Sequence, residues 1–158
     1  MAASGGAGRW GKGMGVRRRW KVVVPVVAVV VAVAGGGWWW ENTPKYDVPV
    51  PPASAGPGDV VRAYMRALDA HDASTARALS TSGHRSVTAT WLSDTSGMKA
   101  LKVSAPITEA GDVQVPVTFD LRQHWWTDDA SMRPGHHDWS YLLVRRSGRW
   151  LIQDEGTG

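Results

Sequence analysis

The chain contains no cysteine, a single phenylalanine among its 158 residues, and no acidic residue before position 41. The absence of cysteine excludes disulfides, thiolate nucleophiles, cysteine-ligated zinc and a lipidated cysteine. The absence of acid near the N-terminus makes the charge uneven. Residues 1–21 carry 6 of the 18 basic side chains, whereas the remainder carries 12 basic and all 14 acidic ones. Since a nucleic-acid-binding domain needs its positive charge on the folded part, we expect no nucleic-acid partner.

Motifs of common enzyme classes are missing as well. No G-x-S-x-G nucleophile motif and no H-E-x-x-H zinc motif occurs. Three histidines and three aspartates between residues 124 and 138 contain donors that zinc or copper accept, but their spacing matches no fixed ligand pattern. The sequence therefore predicts no catalytic residues, no cofactor and no metal.

An apolar run, "VVVPVVAVVVAVA", follows the basic tail at residues 22–34, and "GGGWWW" continues it to residue 40. As a helix, residues 22–40 would span about 28 Å, close to the thickness of the hydrocarbon core of a membrane. Trp38, Trp39 and Trp40 would then form an interfacial aromatic anchor. We predict a transmembrane signal-anchor in contact with membrane lipid at 22–40, and a basic, disordered cytoplasmic tail at 1–21.

The same run also has the length of a signal-peptide core, and Ala32-Val33-Ala34 fits the small-x-small pattern that signal peptidase cleaves. The alternative is therefore a secreted protein cleaved after Ala34. Because positive flanking charge stays in the cytoplasm, both hypotheses place everything after Trp40 outside the cell. Residues 41–57, with five prolines, are predicted to form a semi-rigid extended stalk.

Residues 58–158 change from helical to strand periodicity along the chain. "GDVVRAYMRALDAHD" has an amphipathic helical pattern with Asp59 as the capping residue at its start, and Asp72 is the capping residue of a second short helix. "SVTATWL" fits a third helical turn or a strand equally well. Beyond Gly97, "LKVSAPI" and "VQVPVTFDLRQH" alternate with a period of two, and "DWSYLLVRR" and "RWLIQDE" follow around Ser147-Gly148. We predict an α+β domain of two to three helices on a curved four-stranded antiparallel sheet.

The opening "VVRAYMRALDAHDASTARALS" and the closing "DWSYLLVRRSGRWLIQDEGTG" resemble the first helices and last hairpin of the nuclear-transport-factor-2-like superfamily. This superfamily has a cone-like α+β fold and includes ketosteroid isomerase. The high content of alanine, valine, glycine and arginine resembles that of an actinobacterial chain, and the layout is similar to that of membrane-anchored members of the superfamily. The resemblance implies an interior cavity with Tyr64 in the place of a catalytic tyrosine. It places no carboxylate where the base should follow, so Tyr64 and Asp120 are predicted only as possible cavity-lining residues.

"HWWTDDASMRPGHHDW" at residues 124–139 is predicted to join two strands and to bring His124 near His136 or His137. It is a candidate partner-contact loop, since tryptophan and histidine can stack on or anchor a partner. Its residues of interest are His124, Trp125, Trp126, His136 and His137.

Three functions remain open on the sequence. The first is a non-catalytic binding or scaffolding domain displayed outside the cytoplasm, with an envelope protein as partner. The second is a small-molecule isomerase or dehydratase that uses the interior cavity. The third is an assembly subunit of a secretion or conjugation complex, which would form homo-oligomers.

Overall fold

Three α-helices and a five-stranded antiparallel sheet are present in residues 44–109, 112–127 and 132–157, the residues that the computed structural model describes. The helices are α1 (Pro57–Ala70), α2 (Ala73–Ala78) and α3 (Arg85–Asp94), with a 3-10 turn at Ser82–His84 before α3. The strands are β1 (Thr95–Val103), β2 (Ile107–Glu109), β3 (Asp112–Gln123), β4 (Gly135–Arg146) and β5 (Arg149–Gly156). The predicted α+β class is confirmed.

The amphipathic pattern forms α1, and its apolar stripe from Val60 to Leu68 is buried. Pro57 occupies the first turn, where its missing N–H breaks no helical hydrogen bond. The helix ends at Ala70 and is capped by His71, which adopts a left-handed conformation with φ of 59° and donates its backbone N–H to the carbonyl of Leu68. The stripe thus faces the sheet, and α1 contacts β1, β3 and β5.

Of the two predicted helix caps, Asp59 and Asp72, the structure contains only the second. Asp72 caps α2 as predicted, because its carboxylate accepts a hydrogen bond of 3.0 Å from the backbone N–H of Thr75. Burial raises the pKa of Asp72, but its hydrogen bonds with Thr75, Val48 and Ser74 together outweigh burial and leave this pKa below its ordinary value. Asp59 does not cap α1, which begins at Pro57, and forms an exposed pair with Arg62 instead.

The long strands run in the order β1-β3-β4-β5, and β2 pairs with β3. Strict alternation along β3 buries Val113, Val115, Val117, Phe119 and Leu121, as its sequence period of two predicts. Most of these side chains belong to one core cluster with the apolar stripe of α1 and with Trp91 of α3. The core therefore lies between the helices and one face of the sheet.

Five strands are found where four were predicted, because "LKVSAPI" does not form one continuous strand. Ser104 still donates its backbone N–H to the carbonyl of Pro116, but Pro106 has no backbone N–H to donate, and β1 ends at Val103. Beyond the interruption, β2 resumes pairing with Ile107 opposite Gln114. "SVTATWL", which periodicity did not assign, lies in α3.

The last two strands form a tight hairpin. Ser147 and Gly148 adopt φ values of 49° and 78°, and positive φ at both central residues is what a two-residue hairpin turn requires. Beside it, the backbone of Leu79–Thr81 hydrogen-bonds to Ile152 of β5 through Thr81 N–H and Leu79 C=O. This pairing covers part of the edge strand.

The segment predicted as a stalk contacts the helices in its described part. The Lys45 ammonium donates to the carbonyls of Asp69 and Ser96, and Val48 is buried with its carbonyl accepting from Thr75 Oγ1. In the described residues, packing against the helices therefore begins at Lys45, ahead of residue 58.

Within the described ranges, no helix combines the length and the apolar composition needed to cross a membrane. The predicted anchor at 22–40, with Trp38, Trp39 and Trp40, and the predicted tail at 1–21 lie outside the described residues.

Candidate functional site: a cavity between α3 and the sheet

An open cavity of about 160 Å³ lies between α3 and the core-facing side of the sheet. We name it the indole cavity, because two tryptophan side chains form part of its wall. The residues that line it are Val87, Thr90, Trp91, Asp94, Thr95, Leu121, Gln123, Met132, Trp139 and Glu155.

The helical side of the wall follows directly from the sequence of α3. Val87, Thr90, Trp91 and Asp94 are spaced i, i+3, i+4 and i+7, so they share one face of the helix. Thr95 then begins β1 at the same end. One face of a ten-residue helix thus supplies a valine, a threonine, an indole and a carboxylate to the cavity.

The sheet side of the wall is built from inward-facing positions of three strands. Leu121 continues the buried alternation of β3, and Trp139 occupies β4 opposite Val117. Glu155 occupies β5 opposite the buried Tyr141. An inward-facing glutamate at this position depends on a bulge: Ile152 pairs with Leu143 and Asp154 with Leu142, which leaves Gln153 as an extra residue.

The two indoles of the wall meet edge to face. The ring centroids of Trp91 and Trp139 are 6.4 Å apart with an interplanar angle of 78°, and Trp91 also meets Phe119 at 6.0 Å. Aromatic pairs prefer this geometry because the positive edge of one ring lies against the negative face of the other. The contact fixes the two indoles as a rigid corner of the cavity.

The wall carries negative charge and no positive charge. Asp94 and Glu155 are its acidic residues, and no lysine, arginine or histidine is among the lining residues. The carboxylate of Asp94 accepts a hydrogen bond of 2.7 Å from Ser93 Oγ. Glu155 accepts from the Trp91 indole N–H through Oε1. The cavity is therefore acidic and aromatic.

Two buried polar atoms of the wall residues have no hydrogen-bond partner. They are Oε2 of Glu155 and the indole nitrogen of Trp139. Glu155 Oε2 lies 3.4 Å from His84 Nε2, but this contact does not have the geometry of a hydrogen bond. Because the Glu155 side chain is only 8% exposed, the missing partner carries a desolvation penalty.

A buried polar cluster lies behind Glu155. His84 Nε2 is also 3.4 Å from the Tyr64 hydroxyl, which is 3.0 Å from Thr88 Oγ1, and Thr88 Oγ1 is 3.0 Å from Ser80 Oγ. Tyr64 is 0% exposed and His84 is 2% exposed. Neither is among the residues that line the cavity. A molecule in the cavity would therefore meet Glu155 without contacting Tyr64 or His84.

The tyrosines of the core remain protonated. Burial raises the pKa of Tyr64 above its ordinary range, and the nearby Glu155 carboxylate raises it further. The pKa of Tyr141 is raised for the same two reasons, and its hydroxyl donates to the Met65 sulfur. Tyr64 is therefore a structural hydrogen-bonding residue of the core.

The residues that the sequence marked as possible cavity lining do not line this cavity. Tyr64 lies in the core, behind His84 and Glu155. Asp120 projects from the other side of β3, where its side chain is 51% exposed and pairs with His136 at 2.9 Å. The alternation of β3 explains this position, because residues 119 and 121 face the core.

The three histidines of the predicted partner-contact loop, His124, His136 and His137, do not form one cluster in the structure. Register places His136 opposite Asp120 and His137 opposite Phe119, so His136 does not face His124 as expected. His124 follows β3, stacks on Trp126 at 4.2 Å and contacts the His71 ring at 6.1 Å.

Two tryptophans of that loop are exposed. Trp125 is 91% exposed and Trp126 is 59% exposed, and their rings meet edge to face at 5.6 Å. Within residues 44–109, 112–127 and 132–157, no group of three or more potential metal ligands is close enough to hold an ion. Asp128 and Asp129, which the sequence added to the histidines, lie outside those ranges.

The sequence did not identify the acidic residues of the cavity or Trp139 as site residues. The i, i+3, i+4, i+7 spacing of Val87, Thr90, Trp91 and Asp94 is the signal that could have joined them on one face. This spacing has meaning only in a helix, and the sequence of the segment fits a strand equally well. No comparable signal exists for Glu155, whose orientation depends on the bulge at Gln153.

No family model matches the chain, and no curated protein matches it. Among solved structures, the solution structure of a SEC-C motif containing protein from Rhodopseudomonas palustris is similar, with a TM-score of 0.51 and 14% sequence identity. The similarity covers 68% of this chain and 82% of that chain. At this identity the similarity shows the fold alone.

This comparison corrects the expected family. Membership of the nuclear-transport-factor-2-like superfamily is contradicted, because the similar structure is that of a SEC-C motif protein. The quoted segments form an amphipathic first helix and an aromatic closing hairpin. Both features serve to cover and close an antiparallel sheet in many α+β domains, so they indicate a fold class and not a family.

Proposed function

We propose that residues 44–157 form a binding domain without catalytic activity, and that it acts outside the cytoplasm. The observation that carries the proposal is the indole cavity, with about 160 Å³ of open space between α3 and the sheet. Wall residues Glu155 and Trp139 each hold a buried polar atom without a hydrogen-bond partner. A filled scaffold would have no such space, because protein interiors pack to the density of organic crystals.

The burial of the acid–base groups supports binding over catalysis. General acid–base catalysis requires a donor or acceptor within hydrogen-bond reach of the reacting atom. Tyr64 and His84 are buried at 0% and 2% exposure and do not line the cavity. Glu155 is thus the one member of the buried cluster with access to a ligand, and the imidazole and the phenol behind it cannot reach a bound molecule.

The location outside the cytoplasm is proposed from the sequence. The basic residues 1–21 and the apolar run 22–40 predict export, followed either by retention in the membrane or by cleavage after Ala34. We expect protease added to intact cells to degrade the C-terminal domain and an N-terminal tag to remain protected. A domain that is protected in intact cells and degraded only after lysis would contradict the location.

One observation favours an enzyme as the second candidate. Glu155 Oε2 lies 3.4 Å from His84 Nε2 in the wall of an open cavity, and a carboxylate beside an imidazole is a common arrangement for a general base. In an isomerase or dehydratase, Glu155 would remove the proton. Turnover of a bound ligand that is lost in Glu155→Gln would support this candidate over simple binding.

The exposed Trp125 and Trp126 favour an additional protein contact. An edge-to-face pair of tryptophans with 91% and 59% exposure is a large aromatic surface, and tryptophans are enriched among residues that dominate interfaces. We propose it as the contact for an envelope protein or a second copy of the chain. An assembly subunit would use the same surface, and loss of co-purifying protein in Trp125→Ala would support that role.

Filling the cavity provides a test of the binding function. Val87 lies in the wall and is 38% exposed, so Val87→Phe should occupy part of the space without changing charge. We expect small fragments that raise the melting temperature of the full-length protein to lose at least about tenfold in affinity in this variant. Val50→Phe is the matched control, because Val50 is 40% exposed and lies outside the cavity wall. Fragments that bind both variants as well as the original chain would place binding elsewhere.

A further inference from the structure

We propose that the indole cavity binds a weakly hydrated organic cation, namely a quaternary ammonium or a guanidinium group. The inference names the ligand class for the same site and rests on the proposed binding function. Three features of the wall carry it: its charge, its two indoles and its size.

The charge of the wall selects a cation. Asp94 and Glu155 line the cavity, and no basic side chain does. The Glu155 side chain is 92% buried, since 8% is exposed, and its Oε2 has no hydrogen-bond partner. A buried carboxylate without a full set of partners gains from a positive charge nearby, because water screens the attraction little at such a site. An anion in the same cavity would be repelled by both carboxylates.

The two indoles supply the contact surface for such a cation. Trp91 and Trp139 form a corner with an interplanar angle of 78° and centroids 6.4 Å apart. A cation over an indole face is attracted by the negative face of the ring, and aromatic cages bind quaternary ammonium groups in this way. Since Trp91 donates its N–H to Glu155, the aromatic and the acidic parts of the wall are fixed to each other.

The size and apolar part of the wall limit the ligand further. The volume of about 160 Å³ is close to that of an engineered cavity of about 150 Å³ that holds benzene, so one small group fits. Val87, Leu121 and Met132 cannot replace the water around a primary ammonium, which is strongly hydrated. Guanidinium is more weakly hydrated than ammonium, and methylation of an ammonium removes its N–H donors. These two groups therefore fit the cavity best.

The same chemistry has two sources. The ligand is either a small free cation or the end of an arginine or methylated lysine side chain on a partner protein. Choline and methylguanidinium represent the free source. A short arginine-containing peptide and its lysine and citrulline versions represent the side-chain source.

The test is a calorimetric titration of the full-length protein in a neutral, non-ionic detergent. Choline is compared with 3,3-dimethyl-1-butanol, which has the same shape without the charge, and with propionate as an anion. We expect choline or methylguanidinium to bind at least about tenfold more tightly than the neutral analogue, and propionate not to bind. Tighter binding of the arginine peptide than of methylguanidinium assigns the ligand to a partner, and the reverse assigns it to a free cation.

Two charge-removing variants connect the preference to the wall. Asp94→Asn and Glu155→Gln should each reduce choline affinity by about tenfold and leave the affinity for 3,3-dimethyl-1-butanol within about threefold. Glu109→Gln and Asp112→Asn are matched controls, because they remove the same charges at exposed positions of β2 and β3. Val87→Phe provides a variant that keeps both carboxylates and should weaken every cavity ligand.

The outcomes separate the ligand class from the function. Equal or tighter binding of the neutral analogue or of propionate, lost in Val87→Phe, overturns the cation and leaves the binding function intact. Absence of binding by every compound, together with no hit in the fragment screen, overturns both. Choline binding that is unchanged in Asp94→Asn, Glu155→Gln and Val87→Phe places the cation site elsewhere and overturns the inference.

Discussion

Glu155→Gln is expected to stabilise the fold by about 1 kcal/mol while it weakens binding in the indole cavity. Glutamine keeps an oxygen that can accept from the Trp91 indole, as Glu155 Oε1 does. It removes a buried negative charge whose second oxygen has no hydrogen-bond partner. Its NH₂ group would lie where Oε2 is now, 3.4 Å from His84 Nε2. A residue that is kept at the expense of stability is typical of a binding site.

Glu155→Ala separates the charge from the hydrogen bond. Alanine also removes the charge, but it leaves the Trp91 N–H buried without an acceptor and opens space beside His84. We therefore expect Glu155→Ala to lower the free energy of unfolding by about 2 kcal/mol, in contrast to Glu155→Gln. Urea unfolding of the two variants and the original chain measures both effects. Destabilisation by glutamine as large as that by alanine would show that the charge itself stabilises the fold.

Phe119→Ala is expected to lower the free energy of unfolding by about 3–5 kcal/mol. Phe119 is 0% exposed at the centre of β3 and contacts Trp91 edge to face at 6.0 Å. Its ring also lies 5.7 Å from that of His137 on the neighbouring strand. Removing it leaves a space that the rigid sheet and α3 fill only in part.

The control for Phe119→Ala is Ile107→Ala on β2, where the side chain is 45% exposed. We expect Ile107→Ala to change the free energy of unfolding by less than about 1 kcal/mol. Both variants are compared by urea unfolding followed through tryptophan fluorescence. If Phe119→Ala and Ile107→Ala had similar free energies of unfolding, the position of Phe119 in the core would be contradicted. The position of Trp91 in the cavity wall would be contradicted with it.

The elements with strong local signals could be predicted from the sequence. The stripe from Val60 to Leu68 predicts α1, and the alternation from Val113 to Leu121 predicts β3. Asp72 and the Ser147-Gly148 turn were also identified, because a helix cap and a two-residue turn depend on a few neighbouring residues. In each case the signal and the structure lie within the same short stretch of chain.

The candidate site could not be predicted, because its wall depends on contacts between distant parts of the chain. α3 has weak amphipathicity and contains Val87, Thr88 and Thr90, whose branched side chains also favour strands. The bulge at Gln153 reverses which side of β5 faces the core, so alternation from Ile152 would have placed Asp154 inside and Glu155 outside. The site therefore became visible only with the strand register.

The measurement that tests the central claim most directly is a titration of the ¹⁵N-labelled full-length protein with choline, followed through the tryptophan indole N–H resonances. Each resonance is assigned by a Trp→Phe variant. We predict that the resonances of Trp91 and Trp139 shift in a saturable way, because both indoles line the cavity, and that the resonance of the 91% exposed Trp125 does not. A shift confined to Trp125 and Trp126, or no saturable shift of Trp91 and Trp139, would contradict the cavity as the binding site.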